Sequence, residues 1–159
     1  MRVKQRVYFA LRSKTIAAAE ITAKLGIEPD DFKVMGSRLT NPPRPMTHKW
    51  SVGCDDAGLR VDEQLEITIA RLLPQQAEIT RLAQKFFLEG DACGAFMSVV
   101  RDFAEEDGEE ESETVVELDN GMKLEKLSGQ HQLLSWHMTH DTMRFLLSVG
   151  SKFDVDEYG

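Results

Sequence analysis

Hydrophobic positions change their period several times along the chain, and each change marks an element. In VKQRVYFALRS, Val7, Phe9 and Leu11 alternate with Tyr8, Ala10 and Arg12, which predicts a half-buried strand. The alanine-rich TIAAAEITAKLG reads as a helix closed by Gly26, with Ile27 placed to pack back on Ile21. From Glu28 to Lys49 the periodicity disappears, and Gly36 with NPPRP opposes regular structure. HKWSVGC restores alternation and predicts a strand with Trp50, Val52 and Cys54 on one face.

The longest helical region follows. Val61, Leu65, Ile69, Leu72 and Leu73 form an apolar stripe up to Pro74, and proline is tolerated only in a first helical turn. Two helices are therefore expected, 61–73 and 74–88, with Ala77, Leu82, Ala83 and Phe86 continuing the buried face. CGAFMSVVRDF is apolar on both faces, the pattern of a central strand. TVVELDNGMKLEKL reads as a hairpin. A two-residue Asn-Gly loop would mix its faces, whereas a three-residue loop of Asp119, Asn120 and left-handed Gly121 sets Leu118 against Met122 and Val116 against Leu124. HQLLSWHM is a further candidate strand. THDTMRFLLSVG is a helix with Met143, Leu146 and Leu147 inward and Gly150 at its end, and KFDVDEY is a last strand.

This order predicts an α+β fold: one domain over residues 1–159, built as a two-layer sandwich. Its sheet is antiparallel or mixed, and helices pack on one face. No internal repeat or flexible linker divides the chain.

VYFALRS, EITAKLGIEPD, THKWSV and FLLSVGSKFDVDEY, with the helical pair around LLPQQAEITRLAQKF, occur in an order and spacing that resembles a bacterial domain-of-unknown-function family, number 4279. The resemblance covers most of the chain except roughly 104–130, where the acidic run and hairpin look like an insertion. It also departs before Gly36, where Lys33, Val34 and Met35 stand in place of the tryptophan frequent in that family. It implies the fold and carries no activity.

Composition narrows the function classes. A formal net charge of -8 opposes general nucleic-acid binding, which needs a basic footprint. No apolar run reaches the roughly 20 residues of a membrane span, and Val7 to Leu11 is too short for a signal sequence. The two cysteines, Cys54 and Cys93, read as reduced core thiols, and the chain is expected to be cytoplasmic.

SWHMTHDTM is the densest cluster of potential ligands, yet its geometry reads as a strand handing over to a helix. Thr139 is placed as N-cap and Asp141 lies in the first turn, where the helix dipole favours a carboxylate. His137 and His140 then belong to different elements, and nothing in the sequence brings His131 or Cys54 to them. No metal or cofactor is expected. Gly-rich phosphate loops, G-x-S-x-G and H-E-x-x-H are lacking, and neither cysteine has an adjacent base, so no catalytic residue is assigned.

Charge is distributed unevenly. Between Lys33 and Cys54 there is no acidic residue, while Lys33, Arg38, Arg44 and Lys49 supply cations and His48 a titratable donor. This segment is either a solvated loop with Trp50 in the core, or a site for an anionic group formed by Arg38, Arg44, His48 and Lys49 with Trp50 as a wall. The run AEEDGEEESE is either solvated or a dock for a basic partner through Glu109, Glu110 and Glu111. Asp154 and Asp156 share a face of the last strand, as its wet side or as a cation site.

The leading expectation is a non-catalytic binding module that meets a basic protein partner, in the manner of an immunity protein. The alternative is a sensor of a small anionic molecule through the basic loop, and a metal-dependent hydrolase ranks third.

Overall fold

The alternation in VKQRVYFALRS extends further than the sequence suggested, into a strand of 12 residues that organises everything else. In a computed structural model, which describes residues 2–104, 108–110, 113–127 and 133–159, this strand β1 (Arg2–Ser13) is followed by α1 (Ala18–Leu25), β2 (Asp31–Lys33) and β3 (His48–Cys54). Then come α2 (Val61–Leu72), a 3₁₀ turn (Leu73–Gln75), α3 (Gln76–Phe87) and β4 (Gly94–Asp102). The chain closes with β5 (Glu109–Glu110), β6 (Glu113–Glu117), β7 (Lys123–Leu127), α4 (His140–Val149) and β8 (Lys152–Tyr158).

The main sheet runs β2-β3-β1-β4-β8, with the short β5 also pairing β1. β1 is antiparallel to β3 and β4, whereas β8 lies parallel to β4. A parallel neighbour needs a crossover, and α4 is part of that connection. The sheet is therefore mixed, and the fold is α+β as the pattern implied.

Alternation divides the sheet into unlike faces. Val7, Phe9 and Leu11 of β1, Trp50 and Val52 of β3, and Ala95, Met97 and Val99 of β4 share one buried cluster with residues from all four helices. Phe145 of α4 meets Phe9 edge-on, with ring centroids 6.1 Å apart. The intervening residues, Arg6, Tyr8 and Arg12 in β1 with Lys49, Ser51 and Gly53 in β3, point to the face without helices.

Several local rules hold. Gly26 and Gly150 end α1 and α4 with φ of 64° and 62°, the left-handed geometry that glycine adopts without penalty. The hairpin β6–β7 has the three-residue loop: Leu118 N–H donates to the Met122 carbonyl, Val116 pairs with Leu124, and Gly121 has φ of 75°.

Other expectations are corrected. The helices end at Leu72 and Phe87, with the Pro74 turn between them, and Ala77 and Leu73 are exposed because that turn rotates the stripe. In α4 the buried face is Thr142, Phe145, Leu146 and Val149. Met143 and Leu147 face outward, Leu147 being 82% exposed. An i, i+3, i+4, i+7 set fits that helix in more than one rotation, and only packing on Phe9 selects among them.

Residues 133–139 form no strand. Their alternation is genuine as burial, since Trp136 and Met138 pack on the core while His137 is exposed. The slot beside β4 belongs to β8, and residues 133–139 pair with neither β8 nor any other described strand. β2 went unforeseen because three residues carry too little period to be seen.

Candidate functional site

The segment between β2 and β3 is folded upon itself. Gly36 N–H donates to the Pro45 carbonyl at 2.9 Å and Arg44 N–H to the Ser37 carbonyl at 2.6 Å. Gly36 and Arg44 both have positive φ. The loop stands beside the helix-free face and bounds one side of a groove there.

The groove holds a cavity of about 740 Å³ that continues into a second of about 280 Å³, and the two share Tyr8, Lys33 and Lys49. Arg6, Tyr8 and Arg12 of β1 and Lys49, Ser51 and Gly53 of β3 form its floor. At a strand rise of about 3.3 Å per residue, Arg6 to Arg12 spans roughly 20 Å. Gly53 lets β3 approach the backbone of β1 closely at this point of the floor. A Cβ there would lie 2.3 Å from the Val7 carbonyl oxygen.

Charge in the groove is opposite to that of the chain. Arg6, Arg12, Lys33, Lys49 and Arg71 outnumber the lining carboxylates Asp30, Asp31 and Asp55. Two of these pairs neutralise themselves. Arg71 grips Asp30 through both terminal nitrogens, at 2.5 and 2.9 Å, and donates to the Gly53 carbonyl at 3.1 Å. The guanidinium hydrogen bond holds the Asp30 carboxyl below its usual range and raises the Arg71 pKa in return. Lys49 bonds Asp31 at 2.8 Å while its ammonium lies 4.8 Å from the Tyr8 ring centroid.

Three cations remain. Among the described residues Lys33 donates only to the uncharged Asn41 carbonyl, at 3.1 Å. Arg12 lies over Phe96, 4.4 Å from the ring centroid, and among the described residues neither Arg12 nor Arg6 has a carboxylate partner. Lys152 covers the same ring at 5.2 Å, so Phe96 is only 5% exposed although no helix lies above it.

The sequence-predicted residues separate. Lys49 lies in the groove. His48 stands beside it in β3, but its Nδ1 accepts the Met35 N–H at 3.2 Å, so that nitrogen cannot donate to an anion. Arg38 and Arg44 are exposed on the loop and line neither cavity, their side chains being carried away by the turn that joins residues 37 and 44. Trp50 points the other way. It is fully buried among the helices and donates its Nε1–H to Thr22 Oγ1 at 3.2 Å, so it is core rather than wall.

Arg6, Tyr8, Arg12 and Lys33 went unrecognised as a group. Arg6, Tyr8 and Arg12 are the polar phase of β1, and their signal was the alternation itself, read only for its buried half.

The histidine-rich stretch is a junction. Thr139 Oγ1 accepts the Thr142 N–H at 3.2 Å and begins α4. His137 Nδ1 lies 3.3 Å from the buried Asp62 carboxylate, which also bonds Arg60 at 2.8 Å. Among the described residues no three His, Cys, Asp or Glu side chains are grouped to hold a metal ion, and no helix is long and apolar enough to cross a membrane. Cys93 is buried, and burial raises its thiol pKa, whereas Cys54 is half-exposed; both are free. Of the acidic run, Glu109 and Glu110 contribute backbone to β5 against Arg2 and Val3. Glu105, Glu106, Asp107 and Glu111 lie outside the described residues, as does His131.

No curated protein and no solved structure matches the chain. A family model does, over residues 2–159. The chain belongs to the domain of unknown function family DUF4279.

Proposed function

We propose that this domain is a non-catalytic binding module, suited to the cytoplasm, whose groove on the helix-free face takes a small polar molecule bearing a phosphate or carboxylate group. One observation carries the reading: in a chain of net charge -8, Arg6 and Lys33 line a cavity of about 740 Å³ and Arg12 and Lys33 its extension of about 280 Å³, and none of the three has a carboxylate partner among the described residues. Arg6 is exposed and Arg12 and Lys33 are half-buried, so all three can turn to an anion and form charge-assisted hydrogen bonds with it. Tyr8 offers a flat ring between them. The Arg71–Asp30 clamp and the Lys49–Asp31 pair hold the rim in place before the ligand arrives, so little ordering remains to oppose binding.

Differential scanning fluorimetry and calorimetric titration with pyrophosphate and with citrate test the reading. Ligand that binds only the folded state raises the melting temperature, by about 2.7 kcal/mol of stability at a concentration a hundredfold above Kd. The rise is expected for the wild type and for Arg44→Ala, and is expected to vanish in Arg12→Ala and Lys33→Ala. A wild type that responds to neither anion, or groove variants that respond fully, would overturn it.

A further inference from the structure

The other end of the sheet presents a different chemistry. β8 is bonded to β4 along one side only, and among the described residues its outer edge has no strand beside it. Asp154, Asp156, Glu157 and Tyr158 are exposed, and Val155 is 43% exposed. Asp154 and Asp156 point to the helix-free face opposite Ser98 and Val100, which carry no charge, and neither has a hydrogen bond or ion pair among the described residues. Aspartate is poorly suited to strands, yet two flank Val155 here. Glu157 differs, because its carboxylate accepts from Arg101 at 2.8 Å on the other face.

We infer that the outer edge of β8 receives an extended segment of another protein with lysine or arginine at alternate positions, added as a further strand. An open edge offers a row of backbone donors and acceptors, and alternation decides which side chains sit on each face. Cationic residues on the helix-free face meet Asp154 and Asp156, while a β-branched residue between them lies against Val155. A second copy of this chain is the poorer occupant. Antiparallel self-pairing about Val155 sets Asp154 against the copy's Asp156, and directly opposed like charges are destabilising.

Fluorescence anisotropy of the full chain with a labelled peptide of alternating lysine and valine tests this. Three controls accompany it: a glutamate-for-lysine peptide, a peptide N-methylated at every second residue, and sedimentation of the chain alone. The lysine peptide is expected to bind the wild type and Lys49→Ala equally, which separates this edge from the groove. The Asp154→Asn, Asp156→Asn double variant, with its circular dichroism and melting temperature unchanged, is expected to bind about tenfold more weakly. Neither control peptide is expected to bind. Equal binding by the N-methylated peptide would reduce the contact to charge alone and refute strand addition. Absence of lysine-peptide binding, insensitivity of the double variant, or a dimer that competes with the peptide would each also overturn it.

Discussion

Lys49 and Trp50 are neighbours in β3 and project to opposite sides of the sheet, so substituting each alone tests which face carries which role. Trp50→Phe removes on the order of 40 Å² of buried aromatic surface, about 1 kcal/mol. It also removes the Nε1–H bond to Thr22, about 1 kcal/mol more. The surrounding core is close-packed and relaxes only in part, so a void adds to the cost. The expected loss is about 2–3 kcal/mol, a large share of the roughly 5–15 kcal/mol that holds such a domain folded. For a chain of this size that lowers the melting temperature by about 5–10 °C. Lys49→Ala removes a half-exposed pair with Asp31 and the contact with the Tyr8 ring, and is expected to cost about 1 kcal/mol. The ligand response behaves inversely: pyrophosphate still stabilises Trp50→Phe and loses most of its effect on Lys49→Ala. Urea denaturation followed by far-UV circular dichroism, with and without pyrophosphate, reads both quantities. A Trp50→Phe protein as stable as the wild type but blind to pyrophosphate would refute the face assignment.

Glu89 joins the end of α3 to the turn after β1, accepting from Thr15 Oγ1 at 2.7 Å, Lys14 N–H at 2.5 Å and Ser13 Oγ at 3.0 Å. Burial works to raise its pKa, but the donors prevail and hold the carboxyl below its ordinary 4.5. The stabilisation is therefore complete above pH 4.5 and lost as pH falls through the depressed folded value. Glu89→Gln is expected to cost about 1–2 kcal/mol at neutral pH and to converge on the wild type in acid urea titrations. Thr139→Ala removes the N-cap of α4 and is expected to cost about 1 kcal/mol, read from the urea midpoint. Gly53→Ala forces a Cβ against the Val7 carbonyl and the Tyr8 backbone. It is expected to destabilise by about 1–3 kcal/mol in the same titration and to weaken pyrophosphate binding by shifting the groove floor.

The fold was largely legible because its signals are local. Alternation in β1 and β3, the cap at Thr139, the glycines at 26 and 150, and the Asp119–Gly121 loop each follow from constraints within a few residues. The strand expected at 131–138, overturned over its described part 133–138, and the inward faces expected of Met143 and Leu147 share one reason for the difference. A periodic stripe says that something buries it, but not which element does so or whether a ladder slot is vacant.

The site was harder to read. Of the stretch without acidic residues from Lys33 to Cys54, Lys33 and Lys49 line the groove, whereas Arg38, Arg44 and Trp50 do not. Arg6 and Arg12 lie some 40 positions from Lys49 in the chain and meet it only because β1 pairs with β3. From sequence alone came the period of the longer elements, the two unlike faces of β1 and β3, and the net charge. Strand order, the slot beside β4, and the gathering of cations on one face required tertiary structure, since non-local pairing depends on which surfaces are left to cover one another.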